Sequence, residues 1–213
     1  YLPNFRYPSN SLLGGKPFQQ NEVRRLVESW YQQLRETEKT GTGYTAEEIH
    51  FLKCILANSP DRLQQKANRL SEIIGGRISV LPPDGRHVDY NLIPLTISRG
   101  CLYKCKFCKV KNSSAFSEKS EEEISGQLDA LRDLYGQDIK NQNSLFLGEH
   151  DALQCNSGLI LFSIKKALKI FDFNHSFLAE KSVFLFGSVT SLLNAPTQLF
   201  SDLQQLPVRS FIN

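Results

Sequence analysis

"NLIPLTISRGCLYKCKFC", residues 91–108, joins a run of apolar residues to three closely spaced cysteines. The run 91–98 is typical of a buried strand, in which Pro94 is tolerated near the start or at a sheet edge. Cys101, Cys105 and Cys108 follow at once, with the spacing C-x-x-x-C-x-x-C. The stretch therefore predicts a strand that delivers a loop of three thiols to one edge of a sheet.

Strands and helices alternate after this loop. Apolar strands are predicted at 144–150, at 182–188 and from 208 onward, and amphipathic helices at 121–135, 157–171 and 195–206. Such an alternation is typical of a parallel α/β sheet. Because right-handed crossovers bring the carboxyl ends of all strands to one edge, we expect the loops at Cys101, Gly148 and Ser188 to meet there.

The first 84 residues differ in character from the rest. Residues 1–20 are rich in Pro, Gly, Ser and Asn and predict an irregular arm. Three helices should follow, and a short strand is predicted at 77–81. We therefore expect two parts, an N-terminal arm and helical region over 1–84 and an α/β domain over 85–213.

Local signals place the ends of several helices. Thr45 with Glu48, and Ser120 with Glu123, form the S/T-x-x-E pattern of a capping box. Ser59–Pro60 begins the third helix, and the pair Gly75–Gly76 ends it. Two residues of the N-terminal helices, Trp30 and Cys54, are interpreted as buried helix core.

The composition narrows the class of protein. The chain has 213 residues, of which 40% are hydrophobic and 22% are charged, as in ordinary soluble globular proteins. A net charge of +3 is too small to indicate nucleic-acid binding, and no apolar run is long enough to span a membrane. Five cysteines, three of them clustered, favour a metal-binding loop in a cytoplasmic protein over a secreted disulfide scaffold.

Three thiolates are compatible with two kinds of metal site. They are soft ligands that suit zinc or an iron–sulfur cluster. A structural zinc site needs a fourth ligand, and none of His87, Cys54 and Cys155 has zinc-finger spacing to the loop. A 4Fe–4S cubane held by three thiolates leaves one iron free for an exogenous chelate. A zinc-binding interaction module remains the alternative to a cluster.

The cysteine loop resembles the signature of the radical S-adenosylmethionine (radical SAM) superfamily. In that family C-x-x-x-C-x-aromatic-C follows the first strand of a partial (β/α) barrel, and Phe107 occupies the aromatic position. "FLGEHDAL", residues 146–153, resembles the family's Gly-Glu motif, with Gly148 and Glu149. The resemblance covers residues 85–213. It implies an α/β fold with the first three to four units of a (β/α)6-type radical SAM barrel, preceded by a mainly α-helical region.

The resemblance also implies cofactors and a reaction. Cys101, Cys105 and Cys108 are expected to bind three irons of a 4Fe–4S cluster, while the amino and carboxylate groups of SAM chelate the fourth. Reductive cleavage of SAM then yields a 5′-deoxyadenosyl radical that takes a hydrogen atom from a substrate. The substrate itself is not indicated by the sequence.

Four further residues receive roles in SAM binding. Phe107 is expected near the adenine, and Gly148 lets the main chain approach SAM closely. Glu149 is expected to face the SAM ammonium group or to contribute its backbone. Ser188, after the third predicted strand of the sheet, is a candidate for the polar groups of SAM.

Other polar residues in or near the cysteine loop are also candidates for functional roles. The four lysines of the loop are interpreted either as a solvated basic surface or as a docking patch for an acidic electron donor such as flavodoxin or ferredoxin: Lys104, Lys106, Lys109 and Lys111. His150 is a candidate proton donor, Asp151 is interpreted as a solvated helix cap, and Cys155 as a loop thiol. Because three βα units cannot close a barrel and would leave a fourth strand with an exposed edge, we also expect the natural chain to continue beyond Asn213.

Overall fold

The computed structural model describes residues 20–75, 91–100, 102–103, 115–148 and 151–212. Its internal contacts divide the chain into two units, Tyr1–Arg69 and Leu70–Asn213. The boundary expected at 84/85 lies outside the described residues. None of the helices in the described ranges combines the length and the apolar character that a membrane crossing requires.

The N-terminal unit is built from helices. They are α1 (Gln20–Thr40), α2 (Ala46–Leu56) and the first part of α3 (Pro60–Ile74). The predicted capping box at the start of α2 is confirmed, since Thr45 Oγ1 accepts from the Glu48 N–H at 3.2 Å and the Glu48 carboxylate accepts from the Thr45 N–H at 2.7 Å. Helix α3 ends as expected at Gly75, whose positive φ of 76° suits a residue without a side chain.

Two burial predictions for this unit were wrong. Trp30 is 58% exposed, and Cys54 is also exposed. Helix α1 packs on α2, and the partly buried residues of α1 are Tyr31, Leu34, Thr37 and Glu38. Several apolar residues of the α1 stripe, such as Leu26 and Trp30, are therefore left exposed. Cys54 lies two residues after the buried Leu52, which places it about 200° around the helix on the outer face.

The second unit contains the parallel sheet that the sequence predicts. Its four strands are β1 (Leu92–Leu95), β4 (Ser144–Leu147), β5 (Ser182–Leu185) and β6 (Arg209–Ile212), in the order β1-β4-β5-β6. All three neighbouring pairs are parallel, and Leu95, Leu147, Leu185 and Ile212 lie side by side in register. The α/β fold class is thereby confirmed. A separate two-stranded ladder joins β2 (Ser98–Arg99) to β3 (Ser117–Glu118).

Three crossover helices cover one face of this sheet. Helix α4 (Glu121–Tyr135) precedes β4, α5 (Ser157–Phe171) precedes β5, and α7 (Thr197–Gln204) precedes β6. Apolar residues of all three helices join the strand residues in one buried cluster: Leu128, Leu131, Ile160, Ile164, Leu199, Leu203, Leu95, Leu147 and Leu185. Sequential strands with every crossover on one side make a singly wound sheet, the arrangement of β/α barrels, whereas doubly wound sheets have helices on both faces.

The opposite face of the sheet is aromatic. Phe146 and Phe184 are buried there in a second cluster, with Leu92 and Phe186 packed against them. The Phe184 ring also stacks on Phe211, with ring centroids 5.1 Å apart. In a closed barrel this face would line the interior.

The observed elements differ from the predicted ones in detail. Each sheet strand has four residues, so the predicted strand ends at 96–98, 148 and 186–188 are loop or ladder. The sequence interpretation missed helix α6 (Val189–Asn194) and the β2–β3 ladder. The strand predicted at 77–81 lies outside the described residues.

Candidate functional site

The candidate site lies at the edge where β1, β4 and β5 end. Tyr103, from the segment that contains the three cysteines, contacts residues of two other loops. Its phenol oxygen is 2.8 Å from the Ser188 hydroxyl and accepts a hydrogen bond of 3.3 Å from Gln154 Nε2. Gln154 follows β4, and Ser188 follows β5. The expected meeting of three loops at one edge is confirmed for these three residues.

The antiparallel ladder closes the base of the cysteine segment. Because β2 pairs with β3, Arg99 and Ser117, which lie on either side of the cysteine segment in the sequence, are neighbours in this ladder. Arg99 in β2 forms an ion pair with Glu123 in the first turn of α4, and this hydrogen-bonded guanidinium lowers the pKa of the Glu123 carboxyl. The pair is solvent-exposed, so its contribution to stability is small.

A buried polar network holds the chain between β1 and the cysteines. The Gln127 amide binds both main-chain groups of Thr96: its Oε1 accepts from the Thr96 N–H at 2.9 Å, and its Nε2 donates to the Thr96 C=O at 2.9 Å. The Thr96 hydroxyl donates to the Ile74 carbonyl at 2.7 Å and accepts from Lys119 Nζ at 2.5 Å. Buried polar groups need such partners, and here they fix the path toward Cys101.

Asp151 joins the loop after β4 to the loop after β5. Asp151 is 7% exposed, so the interpretation as a solvated cap was wrong. It makes no side-chain cap bond to the turn Ala152–Gln154 that follows it. Instead Oδ2 accepts from the Ser188 N–H at 3.0 Å, and both carboxylate oxygens accept from the Ser191 hydroxyl at 2.7 and 2.8 Å. The carboxylate is buried because donors of the neighbouring loop replace water.

The Ser188 side chain is the N-cap of α6. Its hydroxyl oxygen accepts from the Ser191 N–H at 3.1 Å and lies 3.0 Å from the Ser191 hydroxyl, in addition to its contact with Tyr103. These contacts already occupy the hydrogen-bonding capacity of one hydroxyl. The expected contact of Ser188 with SAM stays a prediction, and the described contacts give the residue a second role in holding the cysteine segment.

Gly148 directly follows β4 and lies beside Phe146 of the aromatic face. A β-carbon at this position would lie 1.8 Å from Cε1 of Phe146, far inside van der Waals contact. The structure thus provides a steric reason for glycine here that involves no ligand. The close approach of Gly148 to SAM stays a prediction.

The loops after β4 and β5 also pack directly on each other. The Ala152 N–H donates to the Phe186 C=O at 2.7 Å, which continues main-chain pairing beyond the strand ends. The Leu153 side chain fills the space beside Gly187, where a β-carbon would lie 2.5 Å from Cδ1 of Leu153. These contacts make the edge of the sheet a well-defined platform.

Cys155 is a buried thiol near this platform. It is 5% exposed and belongs to the main core cluster with Ala152 and Leu153. Burial raises the pKa of the Cys155 thiol to about 12, although a hydrogen bond with Ser98 opposes the shift. Cys155 is therefore a neutral, packed thiol of the core.

Most of the residues with a predicted role in cofactor binding, metal binding, proton transfer or partner docking lie outside the described residues: Cys101, Cys105, Cys108, Phe107, Glu149, His150, His87, Lys104, Lys106, Lys109 and Lys111. Within the ranges that the structure describes, no group of three or more His, Cys, Asp or Glu side chains is arranged to hold a metal ion. Gly148 and Ser188 are the predicted SAM contacts that the structure describes, and Tyr103 is a described residue between Cys101 and Cys105.

The sequence interpretation missed three residues that organise this edge. Gln127 lies between Ile124, Leu128 and Leu131 on the buried face of α4, and a polar residue in an apolar stripe signals a buried hydrogen-bond partner. Ser191 follows Ser188 at the spacing of a helix cap. Tyr103 carries no such local signal, because its partners are 51 and 85 residues away in the chain.

Comparisons with known proteins do not place the chain in a family. No protein-family model matches the sequence, and no curated protein or solved structure is significantly similar to it.

Proposed function

We propose that this chain carries a radical SAM centre and belongs to a cytoplasmic enzyme that acts on a substrate still to be identified. Cys101, Cys105 and Cys108 would hold a 4Fe–4S cluster with an open iron for SAM. The observation that supports this most is the contact between the Tyr103 phenol and Ser188 at 2.8 Å. It ties the C-x-x-x-C-x-x-C segment to the edge of the sheet where the Gly148 loop begins.

The architecture supports the same proposal. A singly wound parallel sheet, with its helices on one face and an aromatic opposite face, is what the first units of a (β/α)6-type barrel would provide. Loops at the carboxyl ends of such strands carry the active sites of barrel enzymes. The zinc-binding interaction module remains the alternative, and its expected fourth ligand, His87, lies outside the described residues.

In the proposed site each residue has a separate task. When bound, the cluster and SAM supply the electron transfer and the radical chemistry. The three cysteines would bind iron, while Phe107 and Glu149 would contact SAM. Gly148 would leave room for SAM, and Ser188 would hold the cysteine segment in place. The buried carboxylate of Asp151 keeps Ser188 and Ser191 fixed.

An electron donor is the partner that this chemistry requires. We propose an acidic protein such as flavodoxin or ferredoxin, docking on Lys104, Lys106, Lys109 and Lys111, because opposite charges accelerate encounter. The test is the rate of cluster reduction by flavodoxin as salt is raised. If these lysines steer the donor, the rate of cluster reduction should fall steeply as ionic strength rises. The fall should be shallower when all four lysines are changed to Gln. An unchanged salt dependence in the Gln variant would rule this docking patch out.

The function itself is tested by anaerobic reconstitution with iron and sulfide. The proposal predicts about four irons for each chain, and 5′-deoxyadenosine as a product when SAM and a reductant are added. A matched control is Cys54→Ala, which removes an exposed thiol of the N-terminal unit and should change neither result. A protein that retains one zinc ion, takes up no iron and leaves SAM intact would support the zinc module instead.

A further inference from the structure

Tyr103 occupies a distinctive position in the cysteine segment. It lies between Cys101 and Cys105 in the sequence, and its phenol oxygen bridges two loops of the sheet edge. Gln154 Nε2 donates to this oxygen at 3.3 Å, and the Ser188 hydroxyl lies 2.8 Å from it. One hydroxyl group therefore connects the segment to the loop after β4 and to the loop after β5.

The partner of Tyr103 is itself held firmly. The Ser188 main chain donates to buried Asp151, and the Ser188 hydroxyl accepts from the N–H of Ser191, which is only 2% exposed. A side chain that hydrogen-bonds to a fixed partner is itself held in a defined position. Ser188 is thus a fixed hydrogen-bond partner for Tyr103.

The hydrogen bonds, more than burial of the ring, explain a tyrosine at this position. Tyr103 is 42% exposed, so a large part of its side chain gains nothing from removal from water. A phenylalanine would keep the ring and lose both described polar contacts. The hydroxyl is therefore the group whose removal tests the role of the residue.

We propose that Tyr103 is a positioning residue that sets the register of the cysteine segment on the loops that follow β4 and β5. This inference rests on the proposed function, because the cysteines on either side of Tyr103 are the expected cluster ligands. Placement within about 1 Å decides whether a bound group can react, so an anchor between two ligands affects chemistry without touching substrate. The geometry assigns this task to Tyr103, Ser188 and Gln154 acting together.

The first test uses the protein without a cluster. Limited trypsin digestion at Lys104 and Lys106 reports how firmly the segment is held in the wild type and in Tyr103→Phe. We expect cleavage there to be about fivefold to tenfold faster in Tyr103→Phe, the size of effect that loss of a typical hydrogen bond produces. Tyr44→Phe, at an exposed tyrosine of the N-terminal unit, is the matched control and should cleave like the wild type. Equal cleavage in Tyr103→Phe and the wild type would overturn the anchor.

The second test uses the reconstituted protein. The three thiols remain in Tyr103→Phe, so iron content should be unchanged, whereas the Kd for SAM, read from the change it causes in the cluster's electron paramagnetic resonance spectrum, should rise about tenfold. A merely structural role would lower stability without moving this spectrum. If the wild type carries its cluster and Tyr103→Phe shows the same Kd and spectrum, the inference is overturned while the proposed function stands.

Variants of Ser188 control for the possibility that Tyr103→Phe fails to fold. Ser188→Thr keeps a hydroxyl for both Tyr103 and the α6 cap, so the Kd for SAM should stay near the wild-type value. Ser188→Ala should raise that Kd as Tyr103→Phe does, and it should also lower stability because the cap to the Ser191 N–H is lost. In the double variant the two effects on the Kd should not add, because both changes remove the Tyr103–Ser188 contact. Full additivity would overturn the inference. A wild type that never takes up iron would instead overturn the proposed function, and with it any role of Tyr103 toward a cluster.

Discussion

The ring of Phe146 lies over Gly148, which is two residues further along the chain and just beyond the end of β4. Cε1 of the ring is 1.8 Å from the point that a β-carbon on Gly148 would occupy, so only glycine leaves room for the ring in this position. Phe146 is 6% exposed and packs with Phe184 on the aromatic face of the sheet. Gly148 thus serves the packing of the sheet, whatever else approaches it.

The first prediction separates this packing role from a cofactor role. Gly148→Ala should lower the free energy of unfolding by about 1–3 kcal/mol, because the added methyl group overpacks the site. In a Phe146→Leu background the same change should have a smaller effect, since the ring that it collides with is gone. Urea denaturation of the wild type, Gly148→Ala, Phe146→Leu and the double variant measures the destabilisation in each background. Equal destabilisation in the two backgrounds would show that Phe146 is not the obstacle.

SAM binding by the same four proteins distinguishes the two roles of Gly148. If close approach of SAM also requires glycine, Gly148→Ala should weaken SAM binding in both backgrounds, including the one with relieved packing. Recovery of normal binding in the Phe146→Leu background would mean that Gly148 acts only through the ring.

A second prediction concerns the path from β1 to the cysteines. Gln127→Ala should destabilise the protein by about 2–4 kcal/mol, because it leaves the buried N–H and C=O of Thr96 without their partner. Gln198→Ala, at an exposed residue of α7 that pairs with Asp202, is the control and should stay within about 0.5 kcal/mol of the wild type. Thermal or urea unfolding checks both. Similar effects of the two changes would contradict a special role for Gln127.

The third prediction contrasts two thiols. Cys54 is exposed, whereas burial raises the pKa of Cys155 to about 12, so Cys155 holds its proton and reacts slowly. At pH 8, iodoacetamide should modify Cys54 readily and Cys155 only after unfolding. Peptide mass spectrometry identifies the modified site. Fast alkylation of native Cys155 would contradict its burial in the core.

The same pKa shift makes stability depend on pH. The Cys155 thiol has an ordinary pKa of 9.0 in the unfolded chain and one of about 12 in the fold, so between these values the unfolded chain binds fewer protons. Its contribution to stability is therefore complete below pH 9 and is lost as pH rises toward 12. Burial also raises the pKa of Tyr135 to about 12, which adds to this loss. Cys155→Val should make the decline shallower, and an equally steep decline in that variant would contradict the assignment.

The arrangement of the sheet was predictable because it depends on local patterns. Continuous apolar strands between amphipathic helices indicated the parallel α/β sheet, and the Ser120–Glu123 pair gave the start of α4 through a capping box that the structure contains. Such signals are carried by residues close together in the chain, where spacing and side-chain chemistry alone determine the outcome.

The contacts that were missed depend on tertiary structure. Burial of Asp151 follows from donors 37 and 40 residues away, and exposure of Trp30 follows from how much of α1 the next helix covers. The β2–β3 ladder pairs two-residue strands that carry no periodic pattern. Each of these features requires knowledge of which surfaces meet, which neither periodicity nor composition contains.

The formation of 5′-deoxyadenosine tests the central claim most directly. The protein is reconstituted anaerobically with iron and sulfide, reduced, supplied with SAM, and the nucleoside is measured by mass spectrometry. The account predicts 5′-deoxyadenosine from the wild type and none from a variant in which Cys101, Cys105 and Cys108 are changed to Ala. A fully iron-loaded wild type that yields no more 5′-deoxyadenosine than this variant would contradict it.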